Sequence, residues 1–190
     1  MAWFDETWIG CLCELWQPCA YQSFTTCWDR VGLRASSCPY VLVIRAGERL
    51  PEFEVWLAAG FVERMRARGL VIIGWGLQVI LMHHSIGGFM THYGWNSTLE
   101  SVSAGVLMRA WPHFAEQFLN EKLIIDVLKV GVSVGVKALS TWGVDTDEVL
   151  VKNCDIQRAV QSLMDDSEEA EERRNRAKEF SKKARMVHVD

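Results

Sequence analysis

Between Ile86 and Ala104 the chain reads Ile-Gly-Gly-Phe-Met-Thr-His-Tyr-Gly-Trp-Asn-Ser-Thr-Leu-Glu-Ser-Val-Ser-Ala, and few folds accommodate that order. Ile86–His92 is a short, apolar, glycine-containing run of strand type. Tyr93-Gly94-Trp95 predicts a turn, and Asn96 or Ser97 is a suitable N-cap for a helix from Thr98 to about Ala104. A strand, a glycine turn and a helix start in succession leave backbone N–H groups without intrahelical partners at the place where an anion can sit. His92, Asn96 and Ser97 add side-chain donors at the same mouth. This is the outline of a phosphate site, and it is also the outline of many helix starts that bind nothing.

The flanking residues narrow the choice. From Trp75 to Gln117, with Asn120 beyond it, the residues Trp75, Gln78, His83, Gly87, Phe89, Thr91, His92, Gly94-Trp95-Asn96-Ser97, Leu99-Glu100, Gly105-Val106, Met108, Pro112 and Glu116-Gln117 form one dense pattern. It resembles the sugar-nucleotide signature box of plant UDP-glycosyltransferases, enzymes of the two-domain GT-B fold. The resemblance implies that Trp75 stacks on the uracil and that Gln78 and Glu100 lie near the ribose, Glu100 taking its hydroxyls. It implies that His92, Asn96 and Ser97 hold the diphosphate. Trp95 (through its backbone), Glu116 and Gln117 would hold the sugar hydroxyls. The residue types suit these tasks: a flat ring for a flat base, carboxylate and amide acceptors for a polyol, donors for a departing diphosphate. A terminal Gln in the box goes with UDP-glucose as donor.

Taken singly, the same residues have plainer readings. Ser97-Thr98-Leu99-Glu100 also satisfies a capping box, with Glu100 reaching back to its own helix start. Glu116 is a first-turn carboxylate that a helix dipole favours, and Trp75 and His92 suit a core. Asn96-Ser97-Thr98 matches a glycosylation acceptor pattern, but nothing in the sequence suggests secretion. The chain departs from the family pattern at Leu77, His84 and Leu107, where prolines are usual, and at Tyr93, where cysteine is usual. It is one residue shorter between Gln78 and His83, which rotates the later part of a helix by about 100°. Arg109 falls where a buried strand residue is expected, and a buried charge without partners is costly.

A chain of 190 residues holds one ordinary domain. Its 49% apolar and 23% charged residues are those of a globular protein, and a net charge of −4 gives no reason to expect nucleic acid. Five of its six cysteines (Cys11, Cys13, Cys19, Cys27 and Cys38) precede residue 39, without a Cys-x-x-Cys pair or zinc spacing, so no metal or other cofactor is expected. The first residues carry Asp5 and Glu6 instead of a basic-then-apolar leader, and no apolar run approaches the ~20 residues of a membrane helix. Cytoplasmic placement with reduced thiols is the expectation.

Strand-type and helix-type segments alternate along the chain, which predicts an α/β fold with a parallel sheet. Tyr40–Arg45, Leu70–Gly74 and Val132–Val136 read as strands. Phe53–Leu57 and Phe61–Ala67 read as short helical pieces, and Leu139–Val149 as a surface insertion. Glu116–Lys129 reads as an amphipathic helix whose apolar face is made by Leu119, Leu123 and Val127 with the flanking Ile124 and Leu128. Asp155–Met164 predicts a helix, and Asp165–Asp190 a charged one capped by Asp166 or Ser167. Residues 1–31 show no clear period. Compared with the family that the chain resembles, the first strand and helix of the domain are expected to be degenerate or missing, and the resemblance implies that 32–190 form the Rossmann-like donor-binding domain of a GT-B enzyme.

The resemblance implies a glucosyl transfer from UDP-glucose, with inversion, to a hydroxyl of a small lipophilic acceptor of flavonoid or terpenoid type, as in plant secondary metabolism. In the family a histidine of the N-terminal domain, supported by an aspartate, removes the acceptor proton. None of His83, His84, His92, His113 and His188 occupies such a position, so no catalytic residue is expected here and an N-terminal domain is an implied partner. The alternative is an inactive truncated relative that only binds UDP-sugar or partner proteins.

Overall fold

The computed structural model describes residues 10–15, 38–44, 55, 57–61, 63, 69–74, 76–112, 115–135 and 153–186. Among them six strands form one parallel sheet: β1 (Gly10–Leu15), β2 (Tyr40–Ile44), β3 (Gly69–Ile73), β4 (Ile86–Thr91), β5 (Leu107–Ala110) and β6 (Gly131–Ser133). Their spatial order is β3-β2-β1-β4-β5-β6. The helices are α1 (Leu77–Leu81), α2 (Trp95–Ala104), α3 (Gln117–Lys122), α4 (Asn153–Met164) and α5 (Glu168–Met186). This is the α/β, Rossmann-like arrangement expected from the alternation of segments.

One expectation is corrected. The first strand is neither missing nor marginal: β1 lies between β2 and β4, in the middle of the sheet, and Cys11 and Leu12 are fully buried. The strand therefore comes from the segment 1–31. Its sequence, Gly-Cys-Leu-Cys-Glu-Leu, lacks a polar–apolar alternation because a central parallel strand is covered on both faces. The first helix, the 139–149 insertion, most of Phe61–Ala67 and His188 lie outside the described residues.

Apolar rows set the register. Val41, Leu12, Phe89 and Met108 are paired in sequence across four adjacent strands, and each is fully buried. Burying one such side chain stabilises by about 1.5–3 kcal/mol. A one-residue slip of β5 would exchange Met108 for Arg109 within that row, so the register is strongly held.

Helix α3 continues through a wider, π-type turn at Leu123–Val127, where the Leu128 N–H donates to the Leu123 carbonyl at 2.9 Å. Its inward face keeps only part of the expected one. Gln117, Asn120 and Ile124 are buried, whereas Leu119 is 72% and Val127 68% exposed. The helix carries apolar residues on two sides, and the packing uses the side that ends on Ile124.

Helix α5 begins as expected at Ser167, whose hydroxyl accepts the Ala170 N–H at 3.2 Å. It packs along α2 through small residues, Ala177 and Ser181, near its C-terminal end, and Ala170 is buried further back. The Ser181 hydroxyl donates to the Ser103 carbonyl at 2.7 Å. The rest of its surface is laced with exposed i,i+3 and i,i+4 ion pairs such as Arg173–Glu169 and Arg176–Glu172. Each of these contributes only a few tenths of a kcal/mol, about 0.3–0.5.

Candidate functional site at the strand ends

In an open parallel sheet, ligands bind beyond the carboxyl ends of the strands, where the strand order reverses. Here that point lies between β1 and β4. The residues after β4 are His92, Tyr93 and Gly94, followed at once by α2, so the stretch first singled out in the sequence sits at the reversal.

The turn is built from three local choices and one distant contact. The Thr91 hydroxyl accepts the Tyr93 N–H at 3.3 Å. Tyr93 takes a left-handed backbone (φ 64°), which costs a bulky residue about 1–3 kcal/mol. Its carbonyl accepts the Asn120 side-chain amide at 2.8 Å in a buried contact, an interaction worth about 1 kcal/mol net and more if its loss leaves the carbonyl unpaired. Gly94 has an ordinary φ of −57°, so its role is space. A Cβ there would lie 2.7 Å from His92 Nε2, and glycine lets the buried imidazole rest against the turn.

Helix α2 starts at Trp95, three residues earlier than expected, with Gly94 in the N-cap position and no side-chain cap. This corrects the assignment of Asn96 or Ser97 as cap. The first intrahelical bond runs from the Thr98 N–H to the Gly94 carbonyl at 3.0 Å, so the N–H groups of Trp95 and Asn96 stand ahead of it at the helix start. It also removes the capping-box reading of Glu100, because Ser97 lies inside the helix and has no cap role for Glu100 to complete. Asn96 is exposed, Ser97 is buried, Glu100 is half-buried and the Trp95 indole is 50% exposed.

The other candidates come from neighbouring elements. Gln78 is exposed on α1, which packs against α2. Glu116 is exposed and Gln117 buried at the start of α3, which also packs against α2 and follows a left-handed Ala115 (φ 53°). Trp75 lies outside the described residues. The structure thus gathers Gln78, His92, Trp95, Asn96, Ser97, Glu100, Glu116 and Gln117 onto adjoining elements beyond the ends of β3, β4 and β5. Among the described residues no three His, Cys, Asp or Glu side chains gather as a metal site, and no helix is long and apolar enough to cross a membrane.

Beside the site runs a buried polar cluster. Arg109 is 1% exposed, and its Nη2 donates to the Ser133 carbonyl at 3.0 Å. The Ser133 hydroxyl donates to Glu121 Oε1 at 2.6 Å. Burial lowers the Arg109 pKa from the ordinary arginine value to about 10, so the side chain is charged at neutral pH. Burial, and then the Glu121 carboxylate, push the Tyr93 phenol well above its ordinary value; Arg109 acts in the opposite direction. Sequence reasoning flagged Arg109 but missed the Asn120–Tyr93 contact, whose only signal is an Asn in the second turn of a helix after a loop.

Sheet order, helix start and turn together define a Rossmann-like α/β domain of the kind that binds ligands at its strand ends. The chain belongs to the family described as UDP-glucoronosyl and UDP-glucosyl transferase, which matches residues 41–166. It is 42% identical over all of its length to UDP-glycosyltransferase 73E1 of Stevia rebaudiana, covering 39% of that protein. It is 50% identical over 80% of its length to UDP-glycosyltransferase 73C7 of Arabidopsis thaliana, covering 31% of that protein. Among solved structures it is similar to Glycyrrhiza uralensis UGT73P12 complexed with glycyrrhetinic acid 3-O-monoglucuronide. That match has a TM-score of 0.80 and 35% identity over all of this chain and 39% of the other. It is also similar to a UDP-glucose: anthocyanidin 3-O-glucosyltransferase in complex with UDP. There the TM-score is 0.71 and the identity 25%, over 93% of this chain and 35% of the other. The chain thus spans about two fifths or less of the length of these relatives.

Proposed function

We propose that this chain is the donor-binding half of a plant UDP-glycosyltransferase, holding UDP-glucose for transfer to a hydroxyl of a small lipophilic acceptor of flavonoid or terpenoid type. The observation that carries the proposal is the uncapped start of α2 at the strand-order reversal, with His92 seated against Gly94 beside it. Family membership supports the choice of a UDP-sugar over other anionic ligands.

In the reaction so proposed, the acceptor oxygen attacks the anomeric carbon from the face opposite UDP, and the bond to the diphosphate oxygen breaks with inversion. The acceptor proton goes to a general base supplied by the other half of the enzyme. The electron pair leaves on the diphosphate. The N–H groups at the start of α2, with His92, Asn96 and Ser97, stabilise that charge as it develops. Trp75 stacks on the uracil, Gln78 and Glu100 take the ribose, and Trp95, Glu116 and Gln117 hold the sugar. No metal or cofactor enters this scheme, and a cytoplasmic setting suits a soluble donor.

Calorimetry with UDP tests the site. His92→Ala and Glu100→Ala are each expected to weaken binding about tenfold or more, some 1.4 kcal/mol. Unchanged affinity in both would return His92 to the core and Glu100 to the helix surface.

A further inference from the structure

Two positions that flank the proposed donor site take left-handed backbones that residues other than glycine seldom adopt: Tyr93 ahead of α2 and Ala115 ahead of α3. One buried side chain connects the two segments. Asn120 is 6% exposed, and its backbone N–H closes onto the Glu116 carbonyl at 2.9 Å. Its Nδ2 donates to the Tyr93 carbonyl at 2.8 Å across 27 positions of chain. That carbonyl belongs to the peptide joining Tyr93 to Gly94, the N-cap of α2. Rotating this peptide would turn the first N–H groups of α2 and unseat the His92 ring from the space that Gly94 leaves open.

We infer that Asn120 is a positioning residue of the donor site. Its amide locks the Tyr93–Gly94 peptide, and so fixes the phosphate side, carried by His92 and α2, against the sugar side, carried by Glu116 and Gln117 at the start of its own helix. The inference rests on the donor-site reading and adds to it a residue that touches no ligand. The contact requires a donor: leucine would leave a buried carbonyl without one, and aspartate would set two acceptors against each other.

The test compares the full chain with Asn120→Leu, Asn120→Asp and Asn120→Gln by amide hydrogen exchange and by calorimetry with UDP. The reporting amides are Tyr93, bonded to the Thr91 hydroxyl, and Thr98, bonded to the Gly94 carbonyl, with Glu171 at the start of α5 as the distant reference. In the Leu variant, or in the Asp variant should Leu fail to fold, exchange at Tyr93 and Thr98 should rise at least tenfold while Glu171 changes less than twofold. UDP affinity should fall about tenfold, and Asn120→Gln, which keeps the amide, should recover most of it. Exchange that rises equally everywhere, or UDP affinity equal to that of the unmodified chain, overturns the positioning role alone. If the unmodified chain gives no heat with UDP, the donor reading and this role both fall; selective exchange at Tyr93 would then mark a plain fold contact.

Discussion

Arg109 carries its charge into a sheet whose neighbouring rows are apolar, and the packing around it compensates only in part. One N–H reaches the Ser133 carbonyl, while Nε and Nη1 have no partner among the described residues. Glu121, linked to it through Ser133, keeps part of its surface in solvent, which can take over its charge if the arginine is removed. Replacing a buried ion pair by apolar side chains of similar volume is often neutral or stabilising by about 1–4 kcal/mol, and Arg109 bears its desolvation without a carboxylate in direct contact. Arg109→Met is therefore expected to raise the thermal midpoint, by about 2–4 °C for each kcal/mol. The pH dependence has a definite sign. The folded pKa of about 10 lies below the ordinary arginine value, so the folded protein gives up this proton first. The arginine's penalty is thus complete at neutral pH and is relieved as pH rises through about 10 toward the ordinary value. A lowered midpoint for Arg109→Met at pH 7 would show that the Ser133 and Glu121 interactions outweigh desolvation.

The contact between α2 and α5 depends on the end of α2. Gly105 closes the helix with φ 75°, and its N–H donates back to the Ser101 and Val102 carbonyls. A Cβ there would stand 2.9 Å from Ser181 Cβ and 3.3 Å from the Ala177 carbonyl oxygen. Both the left-handed backbone and the closeness of α5 demand glycine. Gly105→Ala should cost about 1–3 kcal/mol, from the strain and the displaced helix together. Urea unfolding reads this as a lower midpoint with an unchanged slope. A cost below a few tenths of a kcal/mol would mean that α5 can move aside freely, and that Ala177 and Ser181 do not fix it on α2.

The strand order places every described candidate residue on elements that meet beyond the carboxyl ends of the strands, so a ligand there binds the folded chain. Binding to the folded state alone stabilises by an amount that grows with ligand concentration, about 2.7 kcal/mol at a hundredfold excess over Kd. Titrating UDP should accordingly raise the thermal midpoint by roughly 5–10 °C at that excess. Adenosine diphosphate, with the same diphosphate but a larger base, should shift it less. Equal shifts would leave the phosphate turn in place and remove the uracil preference. No shift with either nucleotide would contradict a donor site in this chain.

Much of this domain is legible one residue at a time. The strand Ile86–Thr91, the turn at Tyr93-Gly94 and the helix beyond it are adjacent in sequence, and their signals act over a few residues: strand periodicity, a glycine, a helix start. The Ser167 cap of α5 is local in the same way. Other features depend on partners far along the chain. The central place of β1 comes from pairing with strands that begin some thirty and seventy-five residues later, and burial on both faces removes the alternation that would announce it. Helix α3 could turn either apolar side inward; docking on Tyr93 and β6 selected Asn120 and Ile124, leaving Leu119 and Val127 in solvent. Local backbone preference therefore dictated where elements form, while neighbours, register and the tether between Asn120 and Tyr93 arose only when burial brought distant segments together.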